Sequence, residues 1–152
     1  ADTVVSGQGK SKACFATLAE RKTRFYIAMK MSDRRVETME NAIVAALSAF
    51  PPQLVKTITC DRGTEFANWR RIEERLHCEV YFADPYCAWQ KGTNENLNGL
   101  LREFYPKGRN LSRVAPATLK RNLALLNARP RKVLYFHSAQ ELWDFELNSC
   151  CT

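Results

Sequence analysis

The stretch DPYCAWQKGTNENLNGLLREFY, Asp84 to Tyr105, places one carboxylate, Glu95, in the first turn of an amphipathic helix. From Thr93 onward, Leu97, Leu100, Leu101 and Phe104 recur at i, i+3, i+4 and i+7, an apolar stripe at helical period. Glu95, Asn98 and Arg102 gather on the opposite face, so the pattern predicts a helix that buries leucines and turns these three side chains to solvent. Gly99 costs such a helix about 1 kcal/mol relative to alanine, but one turn beyond Glu95 it leaves room for a bulky ligand beside the carboxylate. An acid at this position also suits the positive end of the helix dipole and needs no further role. The preceding segment, Asp84 to Gly92, reads as a loop closed by glycine, suited to a mobile element over a site.

A second acid gives Glu95 a partner. Thr57 to Gly63, TITCDRG, reads as a β-branched strand that ends in Asp61 and is turned by Gly63, 34 positions before Glu95. The segments TCDRGTEFA and YFADPYCAWQKGTNENLNGLLR together resemble the integrase catalytic core of DDE transposases, in the bacterial insertion-sequence branch related to retroviral integrases. ADTVV at the start, TLAERKTRF in a hairpin and NARPRKVL near the end also look like that family, so the resemblance covers nearly the whole chain. It implies an α/β, ribonuclease-H-like fold with a mixed five-stranded sheet flanked by helices. It further implies that Asp2, Asp61 and Glu95 are the three acids that hold catalytic Mg2+ or Mn2+, that the partners are transposon ends and target DNA, and that the protein is a homo-oligomer. Two motifs depart from the family: Asp61-Arg62-Gly63 stands where Asp-Asn-Gly is usual, and Cys87-Ala88-Trp89-Gln90 where Ser-Pro-Trp-Gln is common.

Three acids suit phosphodiester chemistry because that reaction asks for an activated oxygen nucleophile and a neutralised leaving oxygen, which two metals about 3.5–4 Å apart supply together. Magnesium fits, since it takes carboxylates plus substrate phosphates and keeps several waters. In the family resembled, water first frees a 3′ end, which then attacks target DNA. Arg21, Lys22, Arg24, Lys91 and Arg102 are candidates for phosphate contacts that position DNA without reading sequence. Asn94, Asn96 and Asn98 either meet DNA or cap the helix, and Trp89 is a core anchor or a base-stacking platform. Arg62 has three readings: a substitute cation against Asp61 or Glu95, a fork gripping a phosphate, or a solvated side chain.

The 152 residues, 45% of them hydrophobic, make one domain by length, large enough for a real core. No apolar run approaches the roughly 18–20 residues of a membrane helix, and no membrane partner is expected. The cysteines, Cys14, Cys60, Cys78, Cys87, Cys150 and Cys151, form no C-x-x-C pair and read as reduced thiols of a cytoplasmic protein. A zinc site from Cys60, His77, Cys78 and Cys87 matches no finger or ribbon spacing. The net charge of +7 points to a polyanionic partner. It is concentrated: Lys91, Arg102, Lys107, Arg109, Arg113, Lys120, Arg121, Arg129, Arg131 and Lys132 face only Glu95 and Glu103, so 91–132 carries +8.

In chain order, Ala1 to Val5 begins inside a strand, so residues 1–152 read as a single catalytic core without its upstream DNA-binding region, and Asp2 is exposed to fraying. Gly7 to Lys12 is a turn that lacks the spacing of a phosphate-binding loop. Ala13–Ala19 and Arg24–Met31 form a hairpin, with Phe25, Ile27 and Met29 alternating. Ser32-Asp33 caps a helix of Val36, Met39, Ile43, Val44 and Leu47 whose acids face solvent, and Pro51-Pro52 stops it. Phe66, Trp69, Ile72 and Leu76 mark a short helix, Glu79–Phe82 a brief strand, Leu119, Leu123 and Leu126 a helix ending before Pro130, and Ser138–Glu146 a last one. The predicted order is β-β-β-α-β-α-β-α-α-α. Two other functions stay open on sequence alone: a related nuclease that does not join strands, and a degenerate core kept for DNA binding.

Overall fold

The computed structural model describes residues 1–85, 87, 90 and 92–150. Its elements follow the expected order: β1 (Asp2–Val5), β2 (Cys14–Ala19), β3 (Tyr26–Met31), α1 (Val36–Leu47), β4 (Thr57–Cys60), α2 (Trp69–Leu76), β5 (Glu79–Phe82), α3 (Gly92–Phe104), α4 (Pro116–Ala128) and α5 (Ala139–Cys150). β1, β2 and β3 form an antiparallel meander in which Asp2 faces Thr17 and Thr17 faces Ala28. β4 and β5 pair in parallel, Thr57 with Glu79 through Cys60 with Phe82, across the α2 crossover. The two sheets meet at Ala1, whose amino group donates to the Thr59 carbonyl. Across that seam the strands run β3-β2-β1-β4-β5.

β2 is the middle of the layering. Its alternate side chains serve two cores, Cys14 and Ala16 on one face and Phe15 on the other, and all are buried. A strand covered on both faces shows no polar alternation, which is why CFATLA is nearly all apolar. On the first face Met39 and Ile43 of α1 cover it, and the same cluster continues through Ile72 and Leu76 of α2 to Val80 of β5. On the second, Leu97 and Leu101 of α3 and Leu119 and Leu126 of α4 do so, with Tyr105 edge-on to Phe15 at 5.2 Å. Truncating one of these leucines to alanine would cost about 2–5 kcal/mol, a large share of a domain's stability. In β3 Tyr26 and Ala28 are buried in one core and Met31 in the other, while Ile27 and Met29, on the side of Met31, are half-buried. Both faces of β3 are in fact covered, so alternation there ranks the two sides rather than separating core from solvent.

Local chemistry sets the boundaries. Arg24 adopts a left-handed conformation (φ 63°) and shortens the second hairpin strand to begin at Tyr26. Asp33 accepts from the Arg35 amide at 3.0 Å and from the Thr38 hydroxyl at 2.8 Å, while Arg35 occupies the position before the first turn of α1. α5 begins with a reciprocal box: the Glu141 amide donates to Ser138 Oγ at 3.1 Å and the Ser138 amide to Glu141 Oε2 at 2.8 Å. Gly7 packs so closely on Gly108 that a β-carbon would stand 2.4 Å from its carbonyl oxygen. Cys14, Cys60 and Cys78 are buried free thiols, and no helix among the described residues is long and apolar enough to cross a membrane.

One expectation for α1 is overturned. Glu37 is exposed, but Glu40 is 2% exposed and accepts from Asn68 Nδ2 and Arg75 Nη1, each at 2.9 Å, with Arg71 Nε at 3.4 Å. α2 lies against this face of α1 and brings the donors, so an acid at a boundary position is drawn inward by cations 31 and 35 residues away. Burial pushes the Glu40 carboxyl up, but the bonds from Asn68 and Arg75 outweigh it and hold the group below its ordinary 4.5. A depressed folded value stabilises the fold above 4.5 and is lost as pH falls through the folded value. Glu40→Gln should therefore destabilise the protein by about 1–3 kcal/mol at pH 7. In thermal melts across pH 3–7, the gap between variant and wild type should hold constant above about pH 6 and shrink below 4.5; a gap that does not change with pH would show that the charge of Glu40 is not what α2 recognises.

Candidate active site

Asp2 stands in β1 at the seam. Its Oδ1 accepts from the Thr3 amide at 2.8 Å and its Oδ2 from Asn98 Nδ2 of α3 at 2.9 Å. The Asn98 amide is oriented by Tyr26, whose hydroxyl donates to Asn98 Oδ1 at 2.6 Å, leaving the nitrogen toward Asp2. Tyr26 is 1% exposed, and burial pushes its phenol well above the usual range, so it stays a donor. Below, Thr17 donates to the Asp2 carbonyl at 3.3 Å and accepts from Asn94 Nδ2 at 3.4 Å. Two asparagines one helical turn apart thus fix the start of α3 on β1 and β2.

Asp61 follows β4, its Oδ1 accepting from the Gly63 amide at 3.1 Å. Four residues after Asp61, Glu65 is 4% exposed, and its Oε1 takes bonds from Thr3 Oγ1 at 2.9 Å and Arg34 Nη2 at 2.6 Å. Burial pushes its carboxyl up, and the Arg34 and Thr3 bonds bring it below its ordinary value. Thr3 follows Asp2 and Glu65 lies four residues beyond Asp61, so this contact ties the two acids' segments together across the seam. Gly63 makes it possible, because a β-carbon there would lie 2.5 Å from Glu65 Oε2 and 2.9 Å from Asp61 Oδ1.

Glu95 is exposed in the first turn of α3, three residues before Asn98. The solvent face expected for that helix therefore divides. Glu95 stays outside and a side chain at Gly99 would meet open space, but Asn98 turns to Asp2. Arg102 is half-buried, donating to the Val5 carbonyl at 3.0 Å and the Tyr105 carbonyl at 3.3 Å, and burial holds its guanidinium below its usual value. The structure brings the elements carrying Asp2, Asp61 and Glu95 together. Among the described residues, however, no three His, Cys, Asp or Glu side chains stand close enough as placed to hold a metal ion, and the same holds for the cysteines considered for zinc.

The candidate cations differ in their attachments. Arg62 is exposed beside Asp61 and, among the described residues, forms no ion pair with Asp61 or Glu95. Arg21 Nη2 donates to the Gln90 carbonyl at 2.7 Å, Lys22 pairs with Glu146 at 2.5 Å, and Arg24 donates to Thr93 Oγ1 at the start of α3. Within the loop before α3, Gln90 and Asp84 bond each other, at 2.9 and 3.1 Å; Trp89 and Lys91 lie outside the described residues. Sequence reasoning passed over Glu65, Arg34, Thr3 and Tyr26. Only Glu65 carried a signal, an acid set between a turn glycine and the core residue Phe66.

A family model described as an integrase core domain matches residues 1–88. The chain belongs to the integrase core domain family. Among its relatives, a probable transposase for the insertion-like sequence element IS1161 of Streptococcus salivarius is 36% identical over 94% of this chain and 40% of its own length. The transposase for the insertion sequence element IS4351 of Bacteroides fragilis is 36% identical over 97% and 44%. The integrase core described here thus spans well under half the length of these relatives. Its fold is that of the BIV integrase catalytic core, with a TM-score of 0.72 at 14% identity over 99% of this chain and 95% of that one. The HTLV-2 integrase catalytic core in complex with magnesium, in trimeric form, matches with a TM-score of 0.66 at 15% identity over 92% and 90%. Both are ribonuclease-H-like.

The close fit at Gly63 is testable. Gly63→Ala should destabilise the protein by about 1–3 kcal/mol through overpacking, although its backbone conformation suits alanine. Because the closest clash is with Glu65 and a lesser one with Asp61, the same substitution should cost less in a Glu65→Ala background. Urea denaturation of the four proteins measures the coupling, and additive costs would place the strain elsewhere.

Proposed function

We propose that this integrase core cleaves DNA strands and joins them to a target, as the phosphoryl-transfer part of a transposase. Asp2, Asp61 and Glu95 would hold one or two Mg2+ or Mn2+ ions, a fit supported by an all-carboxylate donor set from three adjoining elements. When bound, such ions activate the attacking oxygen and neutralise the leaving one. The observation that carries the reading is the pair of cross-links at the seam: Asn98 joins α3 to Asp2 at 2.9 Å, and Thr3 joins β1 to Glu65 at 2.9 Å beside Asp61. Acids far apart in sequence are thereby held by polar contacts that a purely structural seam does not need.

The chain's own residues do the positioning. Asn98, fixed by Tyr26, keeps one Asp2 oxygen aimed, and the Arg34–Glu65 pair sets the approach of Asp61. DNA lies over exposed cations, with Arg62 gripping a phosphate near the site; Lys91, outside the described residues, is proposed as a phosphate contact from the sequence alone. Arg21, Lys22 and Arg24 reach phosphates by leaving their present partners, and Asn98 and Arg102 act by holding Asp2 and β1. Water frees a 3′-hydroxyl, which attacks a target phosphodiester in a transesterification. The core works as a homo-oligomer in the cytoplasm, a reading supported by relatives that are transposases and by the trimeric form of the HTLV-2 core.

Asp61→Asn and Glu95→Gln should each lower Mn2+-dependent nicking of supercoiled DNA about 100-fold or more, while leaving DNA affinity unchanged. Calorimetric titration should show Mn2+ binding lost in Asp61→Asn and weakened about tenfold in Asn98→Ala, as when a ligand's supporting hydrogen bond is removed. Wild-type nicking by both acid variants would overturn the assignment, and 3′ ends released but never joined would reduce it to a nuclease.

Arg62 separates binding from metal chemistry. Since it forms no ion pair with Asp61 or Glu95 among the described residues, Arg62→Asn should leave Mn2+ affinity unchanged and make the dependence of log DNA affinity on log salt shallower by about 0.9. Tighter Mn2+ binding in the variant would instead mark Arg62 as a competitor for the metal.

A further inference from the structure

The loop between α4 and α5 carries two consecutive non-glycine residues in left-handed conformation, Tyr135 (φ 52°) and Phe136 (φ 66°). A β-carbon makes that conformation costly, and aromatic residues have no local hydrogen bond to offset it. Burial does not offset it either, since the rings are 89% and 71% exposed. The loop is nevertheless well fixed. Pro130 bridges Ser138, the Phe136 amide donates to the Arg131 carbonyl at 2.9 Å, the Arg131 amide to the His137 carbonyl at 3.1 Å, and Leu134 anchors it in the core. Two rings are thus presented to solvent by a rigid support, the kind of local expense that persists where an outside partner uses it.

The support is cationic. Arg131 donates to the Leu126 carbonyl at 3.0 Å and the Arg24 carbonyl at 3.4 Å, while its buried Nε has no hydrogen-bond partner among the described residues. Burial, then the charges of Arg129 and Arg24, hold its guanidinium below the usual value, so three cations crowd here. From Phe104 to Gln140 the chain has no carboxylate. The acids at the edges are Glu103, 3.0 Å from Arg129, and Glu141, 3.9 Å from His137. Through Arg131, Arg24 and Thr93, direct contacts lead from the loop to the first turn of α3, two residues from Glu95.

We propose that Tyr135 and Phe136 form a stacking platform for unpaired bases of a DNA strand whose phosphates lie on Arg24, Arg129 and Lys132. The inference rests on the function proposed above and adds to it a single-stranded site apart from the three acids. Stacking on exposed rings beside a basic groove is how proteins hold single strands without reading sequence. A second copy of the chain is the weaker occupant, because a two-fold contact at this loop would set its cations against themselves.

The test uses the whole chain in EDTA at low salt, so that no strand is cut. Fluorescence anisotropy should show that the double variant Tyr135→Gly, Phe136→Gly, which also relieves the backbone, binds oligo-dT about tenfold or more weakly. Its affinity for a blunt duplex of equal length should be unchanged. Photocrosslinking of an oligonucleotide containing 5-iododeoxyuridine should label Tyr135 or Phe136. Unchanged single-strand affinity overturns the platform alone, as does an equal loss on both DNAs, or a change of oligomeric state by light scattering with single-strand binding intact. Wild-type protein that binds neither DNA overturns the DNA-binding reading itself and this inference with it.

Discussion

The buried carboxylate of Glu65 is the contact on which the arrangement of the site depends. A desolvated charge is tolerated only when its partners are in place, and here they come from β1 through Thr3 and from the segment after β3 through Arg34. The chain can satisfy Glu65 only by bringing the three-stranded and two-stranded sheets edge to edge. The backbone also crosses that seam, where the Ala1 amino group donates to the Thr59 carbonyl. The side-chain contact adds a long-range constraint to that alignment. Its cost in space falls on Gly63, which has no room for a side chain.

The same economy governs α3. A helix that only covered β2 would place apolar residues wherever it faced the sheet. This one spends Asn94 and Asn98 on Thr17 and Asp2. A desolvated amide that loses its hydrogen-bond partners costs free energy, and Tyr26 and Thr17 supply partners to Asn98 and Asn94 from neighbouring strands. The consequence is geometric: α3 cannot slide or rotate on β1 without leaving polar groups unsatisfied. Glu95, one turn earlier, inherits a defined position from residues that never touch it.

These dependencies explain which features were legible in the sequence. The order of ten elements, the leucine stripe of α3 and the acid ending β4 follow from period, turn residues and caps, which act within a few residues. The fates of Glu40 and Glu65 do not. Each is an acid at a boundary position whose cation lies more than thirty residues away, and helical period assigns such residues to solvent by default. Asn98 and Arg102 were misplaced for the same reason, since period gives a face but not what lies opposite it. In β3, coverage of both sides reduced alternation to a difference of degree. The segment TCDRGTEF displays Asp61 at a strand end, but the partners of Glu65, four positions later, come from Thr3 and Arg34, too far along the chain for local pattern to reveal.

Exposure separates the cations that hold the fold from those free to meet a polyanion. Arg34 is half-exposed, but its partner is buried, so losing the pair would strand a charge. Lys22 pairs with Glu146 from a side chain that is 71% exposed, and water and salt screen such a contact until it adds little. Exchanging Glu146 for a phosphate would cost the fold almost nothing, and Arg62 has no such pair to give up among the described residues. Arg131 lies between these cases: it holds Arg24 and Leu126 by their carbonyls and keeps its charge uncompensated beside Arg24 and Arg129. Neutral acceptors fix a guanidinium without cancelling it. A cation held in that way lends its field to whatever anion approaches the loop, while its own position stays tied to the carbonyl of Arg24, whose side chain reaches α3.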